Sequence, residues 1–428
     1  MWKLLVAALL ATPLAMAAPL DAAPQTRLAD QLRCHLGVND LGNDEAIVVT
    51  GAGGAPRELI YTLSTGAFAR ATEAADGSFT SGQTAITFAT GAGVKTGNRV
   101  ALITRETAFT SEGLTFHGKL AMPARGRAQA FAVWVEGSNN NPSTDDAVWP
   151  YELARRGIGV FVYDKRGTGA SGGAMSSDVL VRARDTAAAV AQARRLAPHV
   201  RRVGVIGASQ GGWVAPLTAT LSTLDFVIPA FALAESPIAQ DQALVQLQLR
   251  QAGFDAQAQA AAQELTAIAA RIVVRNADED FAALDAFKAK NAGAPWLKAI
   301  QPRSYTGLFL MFSTAQIKAA GPAMAQGLRF DYDPRPVIET IAPRQLWLLA
   351  GADTQAPNAQ TQTILRELQT KRDDLSVVVF AKADHGMIEA TQTAKGPAMA
   401  YAAELFDLTA DWIKTNTLPG QGQFLIRP

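Results

Sequence analysis

Short apolar runs of strand length recur along the chain from about residue 99 onward. They cover residues 130–135, 158–163, 203–206, 226–233, 345–349 and 377–380. Helical patterns lie between and after them, near residues 147–156, 179–196, 213–221, 360–371 and 397–414. Strands that alternate with helices form a mostly parallel sheet with helices on both faces. The pattern therefore predicts an α/β fold.

Two segments depart from this alternation. Residues 30–110 contain short alternating runs separated by turn signals such as Asp76-Gly77, and they predict a small β-rich N-terminal module. Residues 236–335 are rich in Ala and Gln with helical periodicity and lie between two predicted strands. They predict a helical cap inserted into an α/β core of residues 111–235 and 336–416, although an ordinary helical subdomain would give the same pattern.

The first 17 residues have the pattern of a cleavable export signal. Lys3 precedes an apolar run over residues 4–14, and Ala15-Met16-Ala17 fits a small-x-small cleavage site. The run is shorter than the roughly 20 apolar residues that a membrane-spanning helix needs. We therefore expect a periplasmic or secreted protein without a stable membrane anchor, whose mature chain starts near Ala18.

The composition narrows the possible partners. The 428 residues include 39 Lys and Arg against 38 Asp and Glu, and this balance without a basic block argues against nucleic-acid binding. Cys34 is the single cysteine, so no internal disulfide can form. There is no His-x-x-x-His pair or cysteine cluster to bind a metal, and we expect no cofactor. A small-molecule ester or peptide-like substrate is the expected partner, and the sequence carries no signal for the oligomeric state.

The candidate nucleophile is the serine of Gly207-Ala208-Ser209-Gln210-Gly211, which lies directly between a predicted strand and a predicted helix. Gly-x-Ser-x-Gly in this setting is typical of a nucleophile elbow, because the glycines permit the sharp turn that lifts the hydroxyl out of the sheet. The helix behind it directs its positive end to the same point, so the Gln210 amide can donate to a developing oxyanion. A plain strand-to-helix turn is the alternative interpretation.

A serine nucleophile needs a base, and the chain offers four histidines: His35, His117, His199 and His385. The first three lie in early or loop segments where a structural or exposed histidine is common. His385 follows the last strand of the predicted parallel series, where a loop can bring its imidazole over the serine. We therefore predict His385 as the base.

An acid must hold the imidazole in the correct tautomer and stabilise its charged form. Asp353 follows the strand at 345–349, so it emerges at the same carboxyl edge of the sheet as Ser209. Glu235, at the end of the preceding strand, is the second candidate. Asp384 is adjacent to the base in sequence, and we expect its side chain to point elsewhere.

The order Ser209, Asp353, His385, together with the elbow and the loop at residues 163–172, resembles the α/β-hydrolase superfamily, in its serine-aminopeptidase-like and esterase branch. The resemblance covers about residues 100–416. It implies a second oxyanion amide after the third strand, which falls on the backbone N–H of Ser138, although Glu136 stands where His is common. It also implies a structural role for the 163–172 loop beneath the site, with Asp164 and Arg166 fixing turns.

Three functions are compatible with these residues. The first is an exported serine esterase that forms an acyl-enzyme on Ser209. The second is a serine peptidase with the same machinery; Asp278-Glu279-Asp280 is the only dense acidic run in the cap that could bind a substrate amine, and a solvated helix face explains it equally well. The third is a catalytically silent binding module, which the complete set of catalytic residues disfavours. Within the cap, Phe309 and Phe312 are expected to line the acyl pocket, although an apolar run of this kind is more often internal core.

Overall fold

The computed structural model describes residues 27–43, 45–53, 55–72, 79–81, 85–90, 93–124, 128–394, 396–419 and 424–427. The predicted export signal and the Asp76-Gly77 turn lie outside these residues. Within the described part of the chain, no helix is both long enough and apolar enough to cross a membrane.

The strands that the structure describes lie mostly in the first half of the chain. They are β1 (Gly37–Gly42), β2 (Glu45–Ala52), β3 (Ala55–Leu63), β4 (Ala67–Thr72), β5 (Phe79–Ser81), β6 (Ala85–Thr90), β7 (Gly93–Arg99), β8 (Leu102–Ser111), β9 (Leu114–Pro123), β10 (Ala130–Val135), β11 (Ile158–Tyr163), β12 (Val203–Ala208), β13 (Phe226–Ala230), β14 (Arg344–Ala350), β15 (Leu375–Phe380), β16 (Ile388–Thr393), β17 (Gly396–Tyr401) and β18 (Phe424–Arg427).

Helices follow mainly in the second half. They are α1 (Asp30–Arg33), α2 (Ser143–Asp146), α3 (Trp149–Ala154), α4 (Val179–Leu196), α5 (Gly211–Leu221), α6 (Pro237–Gln251), α7 (Ala256–Arg275), α8 (Asp278–Lys290), α9 (Tyr305–Met311), α10 (Thr314–Ala325), α11 (Arg335–Thr340), α12 (Ala359–Gln369) and α13 (Leu405–Thr415), with a 3-10 helix at Pro295–Ala299.

The larger part of the chain is built on a mixed sheet in the order β18-β15-β14-β13-β12-β10-β11-β9-β8. In this order, all neighbouring strands from β18 through to β11 are parallel to each other, whereas β9 pairs with β11 antiparallel. Every residue of β10, β11, β12 and β13 is buried, as expected for strands covered on both faces. The α/β fold predicted from the apolar runs is confirmed.

This topology brings the carboxyl ends of five adjacent strands to one edge. Glu136 follows β10, Ser209 follows β12, Phe231 follows β13, Asp353 lies beyond β14 and His385 lies beyond β15. These strands are neighbours in the sheet and parallel to one another. Ligand sites of open α/β sheets form at this edge.

A second sheet, in the order β16-β17-β4-β3-β2-β1-β7-β6-β5, is antiparallel and consists mostly of N-terminal strands. Its first two strands come from far along the chain, where the sequence predicts the start of a helix over residues 397–414. That prediction is wrong at its beginning, because Met399 and Ala400 pair with β4 and the helix starts only at Leu405. Tyr401 N–H also donates to Gly66 O at 2.9 Å. Pairing with β16 and with the distant strand β4 thus overrides the local helix preference of this Ala-rich segment.

Residues 102–110 belong to the predicted N-terminal module. The structure places them in β8, the edge strand of the mixed sheet. The reason is a long hairpin with β9, whose register runs from Leu102 opposite Pro123 to Ser111 opposite Leu114. The alternating pattern of β8 is typical of any antiparallel strand, so it carries no information about which sheet the strand joins.

The N-terminal sheet and the mixed sheet share one hydrophobic core. Leu32, Ile47 and Val49 of the N-terminal part are buried in the same cluster as Trp134 and Trp149. The two indole rings stack with their centroids 5.1 Å apart. The N-terminal strands are therefore packed onto the α/β core.

Residues Ser236–Tyr332 form a separate compact unit. It contains α6 to α10 and has its own core, which includes Leu249, Leu265, Phe281, Phe287 and Trp296. Asp280, in the acidic run at the start of α8, accepts hydrogen bonds from Arg271 at 2.9 Å and Arg275 at 2.6 Å. Asp278 accepts from Lys318 at 2.6 Å, and Glu279 lies 3.9 Å from Arg275, so all three acidic side chains of that run form ion pairs within the unit.

Candidate active site

Ser209 lies on a sharp turn between β12 and α5. Its φ of 51° is in the left-handed region, which is uncommon for a residue with a side chain. The flanking glycines are required by close approach: a Cβ on Gly207 would lie 2.0 Å from Gly211 O, and one on Gly211 would lie 2.4 Å from Val135 O. The motif therefore builds a strained turn that displays the serine at the edge of the sheet.

A continuous chain of hydrogen bonds joins three of the predicted residues. Ser209 Oγ lies 3.0 Å from His385 Nε2, and His385 Nδ1 lies 2.8 Å from Asp353 Oδ2. Asp353 is 5% exposed, and its other oxygen accepts the backbone N–H groups of Gln355 at 2.8 Å and Ala356 at 2.7 Å. A carboxylate held on both oxygens keeps the proton of the imidazole on Nδ1, which leaves Nε2 free to accept the proton of Ser209.

The two other candidate acids bind elsewhere. Glu235 Oε1 accepts the Thr361 hydroxyl at 2.9 Å, and burial raises the pKa of this carboxyl above its usual value. Asp384 accepts the backbone N–H of Thr354 at 2.7 Å. Of the three acids, the structure brings Asp353 to the imidazole, and it directs Asp384 away from the ring.

A further contact to the base has no signal in the sequence. The ring of Phe231, just beyond β13, meets the His385 imidazole edge-on with centroids 5.2 Å apart. Phe231 has a φ of 40°, and its N–H donates to Leu348 O at 2.7 Å. A left-handed backbone at an aromatic residue is costly, and here it accompanies contact with the candidate base.

The segment after β10, residues 136–139, passes directly over the serine; we refer to it as the 136–139 loop. A Cβ built on Gly137 would lie 3.2 Å from Ser209 Cβ. The Glu136 carboxylate accepts hydrogen bonds from the Gly137 N–H and the Asn139 amide, both at 3.0 Å. Glu136 therefore braces the loop that carries it, while the role of the Ser138 N–H as an oxyanion donor stays a prediction.

The 163–172 loop is tied down by polar contacts. Buried Asp164 accepts the backbone N–H of Thr144 at 3.0 Å, and its second oxygen lies 3.3 Å from His117 Nδ1. Arg166 donates to Asp185 at 2.7 Å and Glu112 at 2.9 Å. His117 is thereby engaged with Asp164, outside the hydrogen-bond chain of Ser209.

Phe309 and Phe312 lie in the Ser236–Tyr332 unit. Phe309 is 8% exposed and belongs to that unit's own core, and half-buried Phe312 packs against the same core. Phe309 also contacts the Tyr305 ring, with centroids 6.1 Å apart. Both side chains thus contribute to packing within the unit, and their place in an acyl pocket stays a prediction.

Replacing Phe309 by alanine should lower the unfolding free energy of the unit by about 3–5 kcal/mol, because it leaves a cavity in a small core. Phe312→Ala should cost less, since Phe312 is only half buried. Chemical unfolding of both variants measures the two values. A pocket role would instead change the ranking of short against long acyl esters by about 1–3 kcal/mol with little loss of stability.

The mixed sheet, the strained serine turn at its carboxyl edge and the hydrogen bonds to His385 and Asp353 define an α/β-hydrolase with the arrangement of a serine hydrolase. Residues 101–323 match the family model for X-Pro dipeptidyl-peptidase (S15 family), over just more than half of the chain. The chain belongs to this family. The matched segment contains Ser209 and ends before Asp353 and His385.

Solved structures that align with this chain include several hydrolases. An esterase of Pyrococcus furiosus aligns with a TM-score of 0.42 at 15% identity, over 67% of this chain and 84% of that one. An acylaminoacyl peptidase of Pyrococcus horikoshii aligns with a TM-score of 0.44 at 12% identity, over 85% of this chain and 55% of that one. A proline iminopeptidase of Mycobacterium smegmatis gives 0.42 at 15% identity, over 72% and 97%. A sequence comparison with curated proteins gave no significant match.

Proposed function

We propose that the protein is an exported serine esterase that hydrolyses carboxylic esters through an acyl-enzyme on Ser209. The observation that carries this proposal is the hydrogen-bond chain from Ser209 through His385 to the buried Asp353. A serine hydroxyl is a weak nucleophile unless a positioned base removes its proton as it attacks. The geometry supports that activation.

In the acylation step, Ser209 Oγ attacks the ester carbonyl and its proton passes to His385 Nε2. The carbonyl oxygen becomes an oxyanion that accepts hydrogen bonds from the N–H groups of Gln210 and Ser138. The C–O bond to the alcohol then breaks, and His385 gives its proton to the departing oxygen.

In the deacylation step, a water takes the place of the alcohol. His385 removes a proton from this water, which attacks the acyl carbonyl through the same oxyanion arrangement. Release of the carboxylic acid returns the proton to Ser209. Asp353 keeps its charge throughout and stabilises the imidazolium that forms in each step.

The family match favours a second candidate, a peptidase that cleaves after an X-Pro dipeptide. The same residues can act on an amide, because His385 can protonate a leaving amine as it protonates a leaving alcohol. Such a peptidase would also have to bind the free amino group of its substrate.

Purified mature protein tested on p-nitrophenyl esters of increasing acyl length and on X-Pro p-nitroanilides separates the two candidates. The proposal expects kcat/KM for at least one ester to exceed that for every p-nitroanilide by 100-fold or more. A clear preference for an X-Pro p-nitroanilide would replace the esterase with the peptidase. No turnover of either class above a Ser209→Ala control would overturn both.

Export rests on the pattern of the first 17 residues. Expression of the full chain in a Gram-negative host should place the mature protein in the periplasm or the medium, starting near Ala18. Intact-mass measurement of the protein from each fraction tests this. A full-length chain retained in the cytoplasm would contradict the export proposal. It would not bear on the proposal that the protein is a serine esterase.

A further inference from the structure

Two buried cations lie behind the 136–139 loop. Lys165 is 7% exposed and Arg182 is 3% exposed. Lys165 Nζ donates to Gly137 O at 2.8 Å and also to Asn139 O. Arg182 Nη2 donates to Glu136 O. Three of the four carbonyl groups of this short loop are thus held by two positive side chains.

The Lys165 contact bears directly on the candidate oxyanion donor. Gly137 C=O and Ser138 N–H belong to the same peptide unit, and in a trans peptide the two groups point in opposite directions. A side chain that fixes the carbonyl on one side of the loop therefore fixes the N–H on the other side. Since Gly137 lies against Ser209, this peptide unit is next to the reacting atoms.

Arg182, on α4, reaches the second candidate donor. Its Nη1 donates to Gln210 Oε1, while its Nη2 holds Glu136 O. Gln210 supplies the other N–H expected to bind the oxyanion. One guanidinium therefore links the 136–139 loop to the residue that follows the nucleophile.

We propose that Lys165 and Arg182 are positioning residues that together fix the two oxyanion N–H groups and place positive charge behind them. This inference rests on the proposed acyl transfer by Ser209. Neither side chain has to touch substrate. Each acts through the backbone or side chain that it holds, and preorganised donors of this kind account for a large share of catalysis in serine hydrolases.

The protonation state of Lys165 gives the proposal a measurable signature. Burial, aided by the nearby charge of Arg182, lowers the pKa of Lys165 to about 7, and Glu136 opposes the shift. As the pH rises through this value, the ammonium loses its charge and its hydrogen bonds to Gly137 O and Asn139 O weaken. The wild-type kcat should therefore fall above about pH 7.

The test is the pH profile of kcat and KM for the best ester, from pH 5.5 to 9.5, in the wild type, Lys165→Met and Lys165→Arg. Lys371→Met is the matched control, because Lys371 is an exposed lysine paired with Glu339 on the surface. At pH 6.5, Lys165→Met should lower kcat by about 10- to 100-fold with KM within about threefold, and its alkaline limb should disappear. Lys165→Arg should recover most of kcat and move the alkaline limb above pH 9.

Circular dichroism spectra and melting curves check that each variant is folded. Arg182→Lys keeps the charge but cannot bridge Gln210 and Glu136, so it should lower kcat by about tenfold. It takes the place of Lys165→Arg in the test if Lys165→Arg does not fold. A wild-type kcat that stays level from pH 7 to 9, or a folded Lys165→Met with unchanged kcat, would overturn the inference while the esterase proposal stands. A wild type that neither turns over esters nor reacts with a fluorophosphonate would overturn both.

Discussion

Replacing Ser209 by alanine should lower kcat for ester hydrolysis by about 10³-fold or more, with no loss of folding. The variant keeps the elbow, the imidazole and the oxyanion donors but removes the atom that becomes acylated, and the members of such a set act as one unit. The measurement is steady-state hydrolysis beside the wild type, together with labelling by a fluorophosphonate, which the variant should not take up.

Ser222→Ala is the matched control for this prediction. Ser222 follows the far end of α5, so the same substitution there tests the helix without touching the site. It should keep wild-type turnover and labelling. Equal labelling of the Ser209→Ala variant and the wild type would mean that another residue is the nucleophile.

Asp353→Asn should lower kcat by about 10³- to 10⁴-fold near neutral pH. One oxygen of Asp353 accepts two backbone N–H groups, so the asparagine would turn its own oxygen to them and its NH₂ to His385. That NH₂ donates to Nδ1 instead of accepting from it. The imidazole then carries its proton on Nε2 and can no longer accept the proton of Ser209.

Glu235→Gln provides the comparison for the acid. Glutamine retains an oxygen for the Thr361 hydroxyl, so kcat should change by no more than a few-fold. Melting curves for both variants separate catalytic loss from unfolding. If Glu235→Gln proved to be the more damaging change, the acid would lie on the loop after β13.

The serine turn and the mixed sheet could be predicted because their signals are local. The apolar runs of β10 to β13 have no polar alternation, which is possible only for strands covered on both faces. The glycines around Ser209 mark close approaches that no side chain could occupy. Placement of Asp353 and His385 at the same edge then followed from the parallel order of their strands.

The remaining contacts depend on pairing between distant segments, which leaves no pattern in either segment alone. The Ala-rich residues near 399 favour a helix locally, and pairing with β16 and with the distant strand β4 makes them a strand. Lys165 lies in a loop rich in turn signals and Arg182 on an ordinary amphipathic helix. Their convergence on residues 136–139 requires the folded backbone, and so does the contact of Phe231 with His385.

The hairpin of β16 and β17 begins three residues after His385 and pairs with β4, about 330 residues earlier in the chain. During synthesis, β4 and Ser209 leave the ribosome long before the segment that carries the base. The pairing of this hairpin with β4 is a contact of very high sequence separation, the kind of contact that slows folding. A growing chain contains the nucleophile before its base, so the hydrogen bonds of the site can form only after residues 353–385 have been synthesised.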